Sequence, residues 1–225
     1  MKRLLAAAIA AALLLSGCTS ASRPAESAPP TGTPSPGRTP IVTPTPEPEP
    51  ADGELVLVRD YIPGIFIDLK YATTDNFTGR VIYDSDEAYL RYGTVKKLLC
   101  AQNELSGRGL SLKIWDAYRP VSAQFKLWEI CPNPVYVSDP NNGYSKHSRA
   151  NTVDITLVTD TGKSIPMPSG FDDFTSLADR DYSDVSAEAA ENARLLENVM
   201  VENGFVPYSG EWWHYSDSVS YDVYE

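Results

Sequence analysis

Histidine is almost missing from this chain: two in 225 residues, His147 and His214. Chemistry that needs three or more imidazoles is excluded, and any that needs imidazole at all must use these two. Basic charge is short as well, with 19 Lys and Arg against 30 Asp and Glu and a net charge of −11. That balance argues against nucleic acid, whose binding depends on a phosphate-neutralising surface, and against other anionic polymers as partners. There are three cysteines, Cys18, Cys100 and Cys131, and no internal repeat. Long apolar runs are limited to Leu4–Leu15, about a dozen residues, too short to cross a bilayer comfortably.

That run follows Lys2-Arg3 and leads into Leu15-Ser16-Gly17-Cys18. A basic start, a short apolar core and a small-residue cleavage site form an export signal. The arrangement resembles a bacterial lipoprotein signal, which implies removal of residues 1–17, a lipid on Cys18, and an exported protein anchored to the membrane. The alternative is an ordinary secretory signal; either way the chain leaves the cytoplasm. Losing Lys2 and Arg3 takes the net charge from −11 to −13. Residues 18–53 are rich in Pro, Thr, Ser and Ala, and ten of the 18 prolines lie between Pro24 and Pro50. Such a composition cannot bury a core and reads as an extended tether. Residues 54–225 suit one domain with one core. Export makes a Cys100–Cys131 disulfide possible, and two buried thiols among apolar neighbours are the alternative.

Within the domain, Leu55–Val58 and Ile65–Tyr71 read as strands, and Ala72–Arg80 as a polar loop. Helical spacing of Tyr89, Tyr92, Val95, Leu98 and Leu99 predicts a helix over 86–105, ended by Gly107 and Gly109. A buried strand, Leu110–Trp115, delivers Asp116-Ala117-Tyr118-Arg119-Pro120. Pro120 opens a further helix, predicted to bury Val121, Phe125 and Trp128. Beyond a Pro- and Asn-rich loop comes a strand over 152–158, with Asp154 and Thr156 on one face and Val153, Ile155 and Leu157 on the other. Ser186 caps a helix over 187–203 whose buried stripe is Ala189, Ala193, Leu196 and Met200, and Gly204 ends it in left-handed geometry. Strands follow at Phe205–Tyr208 and Glu211–Tyr215. The whole predicts an α+β domain with a central, mainly antiparallel sheet and flanking helices.

Each histidine has carboxylates close by in sequence. His147, Asp154 and His214 are the nitrogen and oxygen donors that a three-ligand catalytic zinc site uses, with a fourth position left for water. Glu211, three residues before His214, is placed to act as general base. His147 and Asp154 are an odd number of residues apart, so a turn at Arg149-Ala150-Asn151 must intervene if they share a metal. A structural histidine pair and a metal-free acid–base site remain open on the residues alone.

Ser145-x-His147 leading to Asp154, Glu211-x-Trp213-His214 downstream and Tyr118-Arg119-Pro120 upstream resemble the D-alanyl-D-alanine dipeptidase family of zinc peptidases, the VanX type. Tyr71–Gly79 and Met167–Asp172 extend the likeness over nearly all of residues 61–216. The resemblance implies one Zn2+ per chain on His147, Asp154 and His214, Glu211 as catalytic base, and Arg119 steadying the oxyanion. It also implies that Ser145 helps bind the substrate carboxylate and that Asp172 receives its ammonium. The implied substrate is a small D-amino-acid dipeptide or a peptidoglycan peptide.

Two departures stand out. The family usually has Gly where Ala150 stands and Ala where Thr152 stands; if that position needs positive φ, Ala150 costs about 1 kcal/mol in strain. An exported, tethered chain also fits cell-wall peptide turnover, and a role in antibiotic resistance does not follow. A D,D-carboxypeptidase acting on longer wall peptides and a wall-binding lipoprotein without turnover are the competing readings. Asp172 favours the dipeptidase over the first, and the pair Glu211 and Arg119 speaks against the second.

Overall fold

Eleven strands and helices follow one another in the computed structural model, which describes residues 48–224. The expected signal, Cys18 and most of the tether lie outside the described residues. In order they are β1 (Leu55–Leu57), α1 (Val58–Tyr61), β2 (Phe66–Ile67), β3 (Tyr89–Arg91), α2 (Tyr92–Ser106) and β4 (Leu110–Asp116). After these come α3 (Val121–Ile130), β5 (Thr152–Thr159), α4 (Ala187–Glu202), β6 (Phe205–Tyr208) and β7 (Glu211–Asp217). β1 and β3 form a small antiparallel ribbon. The main sheet has the order β2-β4-β5-β7-β6 and is antiparallel except for the β2–β4 pair, as the α+β reading expects.

β5 runs through the middle of that sheet and is buried from Thr152 to Val158. Val153, Ile155 and Leu157 join Leu98, Ala101 and Leu105 of α2 and Ala193, Leu196 and Met200 of α4 in one apolar core. Strand alternation then sends Asp154 and Thr156 to the opposite face. Ser186 caps α4 by accepting from the Ala189 N–H at 3.2 Å, and Gly204 follows the helix with φ +85°. Both features were expected from sequence.

Four expectations need correction. The helix expected from Asp86 begins at Tyr92, because Tyr89–Arg91 is taken up as β3 by pairing with β1. The strand expected over 65–71 shrinks to Phe66–Ile67; a 3-10 turn at Lys70–Ala72 follows, and Asn76 Nδ2 donates to the carbonyls of Lys70, Thr73 and Arg80. On α3 the buried residues are Ala123, Gln124 and Leu127, while Phe125 is 44% exposed. Gln124 explains that rotation: it accepts from Arg119 and donates to the Ser138 carbonyl, so the helix turns a polar anchor inward. Of the two readings for Cys100 and Cys131 the free thiols hold, but neither is buried as expected: Cys100 is exposed on α2 and Cys131 half-buried at the end of α3.

The fold takes hold before residue 54. Asp52 accepts from the Gly93 N–H at 2.9 Å and its carboxylate meets Lys96.

Candidate active site

The sheet lines up three site residues in one row. Asp116 at the end of β4 is the register partner of Asp154 on β5, and Asp154 is in turn the partner of His214 on β7. Directly opposed side chains start only about 4.5–5.5 Å apart at Cβ, so the row is short enough for contact. A β-bulge at Trp115 re-aims the end of β4 toward it.

His147 comes from outside the sheet, on a 3-10 turn at Lys146–Arg149. Ser145 starts this turn, its Oγ accepting from the His147 N–H at 3.3 Å. Ala150 closes it with φ 58°, so the chain reverses before β5 and His147 and Asp154 reach the same side despite their odd spacing. The position does require a left-handed residue. Arg91 holds the turn from behind, its guanidinium donating to the carbonyls of Gly53, Arg149 and Asp222 at 2.6–3.1 Å.

The donor atoms converge. His147 Nε2 lies 3.4 Å from His214 Nδ1 and 3.4 Å from Asp154 Oδ2, and His214 Nδ1 lies 2.9 Å from Asp154 Oδ1. Ligands about 2.0–2.2 Å from a tetrahedral zinc stand roughly 3.4 Å from one another. One nitrogen from each imidazole and a carboxylate oxygen therefore fit zinc in number, type and spacing. The carbonyl of Ala117 accepts from His147 Nδ1 at 2.9 Å, which fixes the tautomer and presents the Nε2 lone pair to the cluster. Glu211 Oε2 comes within 3.4 Å of His214 Nδ1 and so borders the same space.

The electrostatics follow from burial. His214 is lowered by desolvation, which keeps the ring in its neutral, ligating form. Burial also works to lower His147, but the Asp154 and Asp116 carboxylates outweigh it and raise the ring above its ordinary value. Asp154 is pushed up by burial and pulled down more strongly by His147 and His214, ending below the usual carboxylate range. Burial, reinforced by Asp154 and Asp172, pushes Glu211 up to about 8. Burial likewise pushes Asp172 up to about 7, against the hydrogen bond it receives from Tyr71.

All seven residues singled out in the sequence, Arg119, Ser145, His147, Asp154, Asp172, Glu211 and His214, line one cavity of about 80 Å³. Tyr136, Ser138, Ser145, Glu211 and His214 also line a neighbouring cleft of about 260 Å³. Arg119 is nearly buried, its guanidinium pinned by Asp116 at 2.6 and 3.2 Å and by Gln124 Oε1 at 2.9 Å. Those three bonds leave two of its five N–H groups free for the cavity. Asp116 itself accepts from Tyr83 at 2.5 Å and from the Ala117 N–H at 2.9 Å, which makes it the orienting partner expected of it.

Sequence reasoning did not single out Tyr71, Gln124 or Tyr83 for the site. Tyr71 donates to Asp172 Oδ2 at 2.7 Å and lies under the Arg119 guanidinium, 5.1 Å away. Only Gln124 carried a local signal, one turn into the helix that follows Arg119; the two tyrosines reach the site across the fold.

The profile of the D-ala-D-ala dipeptidase family matches residues 51–222. The chain belongs to this family. It is a zinc metallopeptidase by that membership, and the donor cluster described above suits the metal. Among its relatives, the D-alanyl-D-alanine dipeptidase of Escherichia coli strain K12 is 39% identical over 162 residues, covering 72% of this chain and 83% of that protein. The enzyme of the same name from Enterococcus faecium is 35% identical over 69% of this chain and 87% of its own length. That from Streptomyces coelicolor is 36% identical over 73% and 91%.

Proposed function

We propose that this family member hydrolyses D-Ala-D-Ala-type dipeptides outside the cytoplasmic membrane, using one zinc per chain, in the turnover of cell-wall peptides. The observation that carries the proposal is the meeting of two imidazoles, one carboxylate, Glu211 and Arg119 around a single small cavity. His147, Asp154 and His214 would hold the metal. When bound, zinc acidifies water and polarises a carbonyl.

The remaining work falls to the chain. Glu211, bordering the donor cluster 3.4 Å from His214 Nδ1, is placed to take the proton of the attacking water and return it to the departing amine. Arg119, fixed by Asp116 and Gln124, offers its free N–H groups to the charge that develops on the carbonyl oxygen. Because those donors are already oriented, no reorganisation is needed as the charge forms. Ser145 borders the cavity beside His147 and suits the substrate carboxylate. Asp172, held by Tyr71, suits a free substrate ammonium.

Export and anchoring rest on Lys2-Arg3, the apolar run and Cys18. In this proposal the lipid on Cys18 holds the protein at the membrane; no helix among the described residues is long and apolar enough to cross one.

The test is to incubate the zinc-loaded mature protein with D-Ala-D-Ala and with a wall pentapeptide ending in D-Ala-D-Ala, scoring free D-Ala. Preference for the dipeptide by roughly tenfold to a few hundredfold is expected, since an amide in place of the ammonium leaves Asp172 unpaired at about 1–3 kcal/mol. Equal cleavage of both would replace the dipeptidase reading with a D,D-carboxypeptidase.

A further inference from the structure

A second cavity, of about 250 Å³, lies on the same face of the sheet as the metal site, and the two have no lining residue in common. Lys113 and Thr156 face each other there as register partners across β4 and β5. Thr156 stands two residues beyond Asp154, about 7 Å along the strand and on the same side. Asp68 and Lys70 enter from the segment after β2, and Trp115, Ile165 and Met167 supply apolar wall. The Trp115 ring meets Phe171 at 5.8 Å and Trp212 at 5.6 Å, so packed rings separate this cavity from the active site.

Its polar groups have capacity that the protein does not use. The Lys113 side chain is only 20% exposed, and its ion-pair partner Asp68 stands 4.0 Å away, outside hydrogen-bond range. Thr156 is 5% exposed, and among the described residues its hydroxyl has no hydrogen-bond partner. An ammonium and a hydroxyl set side by side in a half-apolar cavity are costly without acceptors, and one ligand carboxylate satisfies both. Asp68 is held through Oδ2 by Lys70 at 3.1 Å, and Lys70 is itself paired with Asp75 at 2.7 Å. A carboxylate accepts about four hydrogen bonds, so Asp68 can take a ligand ammonium as well.

We propose that this cavity binds the zwitterion of a small α-amino acid, with its carboxylate on Lys113 and Thr156, its ammonium on Asp68 and its side chain against Trp115 and Met167. A simple anion would face the Asp68 charge, and a simple cation would leave Lys113 and Thr156 without an acceptor. A ligand with both charges on one carbon matches both sides of the cavity. The dipeptidase reading adds the identity of that ligand: free D-alanine, the amino acid that the reaction releases, makes this a product site outside the catalytic centre. The identity rests on that reading; the zwitterion class rests on the cavity alone.

The experiment is calorimetric titration of the mature zinc-loaded protein with D-alanine, and with acetate as a carboxylate that has no ammonium. Saturable binding of D-alanine is expected, weakened about tenfold or more by Lys113→Met and by Thr156→Val, since each removes a hydrogen bond to a charged group. Asp68→Asn should bring D-alanine down to the affinity of acetate. None of these three side chains lines the active-site cavity, so their effects report the second site. Absence of saturable binding, or binding that all three variants leave unchanged while Asp172→Asn removes it, would overturn the proposal. So would acetate binding the unsubstituted protein as tightly as D-alanine, because Asp68 would then have no part in recognition. Failure to cleave D-Ala-D-Ala with the D-alanine site intact would strike the dipeptidase reading instead, which keeps the two failures apart.

Discussion

Asp154 and His214 face each other as register partners across β5 and β7, with carboxylate and imidazole 2.9 Å apart. The sheet itself therefore fixes two of the three candidate zinc ligands, and only His147 depends on a turn. We expect about one zinc per chain in the purified protein and loss of tight binding in His214→Ala, because two ligands do not close such a site. Metal analysis after dialysis decides it. Stoichiometric zinc retained by His214→Ala would remove the ligand assignment.

Glu211 borders the donor cluster without belonging to it, so Glu211→Ala should keep its zinc and lose about a thousandfold in kcat, within the roughly 10²–10⁴ typical of general base catalysis. Paired metal and rate measurements check this. Zinc loss, or near-normal turnover, contradicts the role.

Asp172 gives a pH dependence. Its carboxyl is raised from 3.8 to about 7, so it is neutral below that range and charged above it. The ratio of kcat/KM between wild type and Asp172→Asn on D-Ala-D-Ala should be flat above about pH 7 and fall by up to about tenfold per unit below it. Stability runs the other way. A raised folded pKa means the folded state holds the proton more tightly, so Asp172 destabilises the fold fully above pH 7 and not below about pH 4. Asp172→Asn should accordingly raise the melting temperature at pH 8 and change it little at pH 4. The opposite order would show that the carboxylate is stabilised in the fold.

Arg91 ties the metal turn to both ends of the domain, through the carbonyls of Gly53, Arg149 and Asp222 and by lying over the rings of Tyr221 and Tyr224. Arg91→Ala should lose about 2–4 kcal/mol in chemical denaturation, given roughly 1.5–3 kcal/mol for a hydrogen bond to a charged group, discounted for partial exposure. Arg91→Lys should recover less than half, because an ammonium cannot reproduce the planar fork. Full recovery by Lys would mean that charge alone matters there.

Ala150 is buried with φ 58°. Ala150→Gly removes a left-handed strain of about 1–2 kcal/mol and adds about 0.4–1 kcal/mol of unfolded-state entropy. The net expectation is a gain of between about 0 and 1.6 kcal/mol in unfolding free energy. A clear loss would show that the Ala150 methyl contributes packing that outweighs its strain.

The sequence by itself determined which atoms could do chemistry. With two histidines in the chain and acidic residues at short spacing from each, His147, Asp154, His214 and Glu211 were nameable without coordinates, because ligand type is a property of the residue. Ser186 and Gly204 likewise marked the ends of α4, since capping acts within a turn of the chain. The turn before β5 was legible from parity alone: an odd spacing forces a reversal if His147 and Asp154 are to meet.

Tertiary structure alone decided what surrounds those atoms. Tyr71 and Asp172 are 101 residues apart and Tyr83 and Asp116 are 33 apart, and no local pattern records such pairs. The apolar stripe Val121, Phe125 and Trp128 was a sound helical signal, yet α3 is rotated off it because Gln124 must reach both Arg119 and Ser138. Tyr89–Arg91 had helical periodicity and became β3 because β1 offered it hydrogen bonds. In each case a tertiary contact outweighed a local preference worth a fraction of a kcal/mol per residue, and only the folded arrangement of the chain says which contact that is.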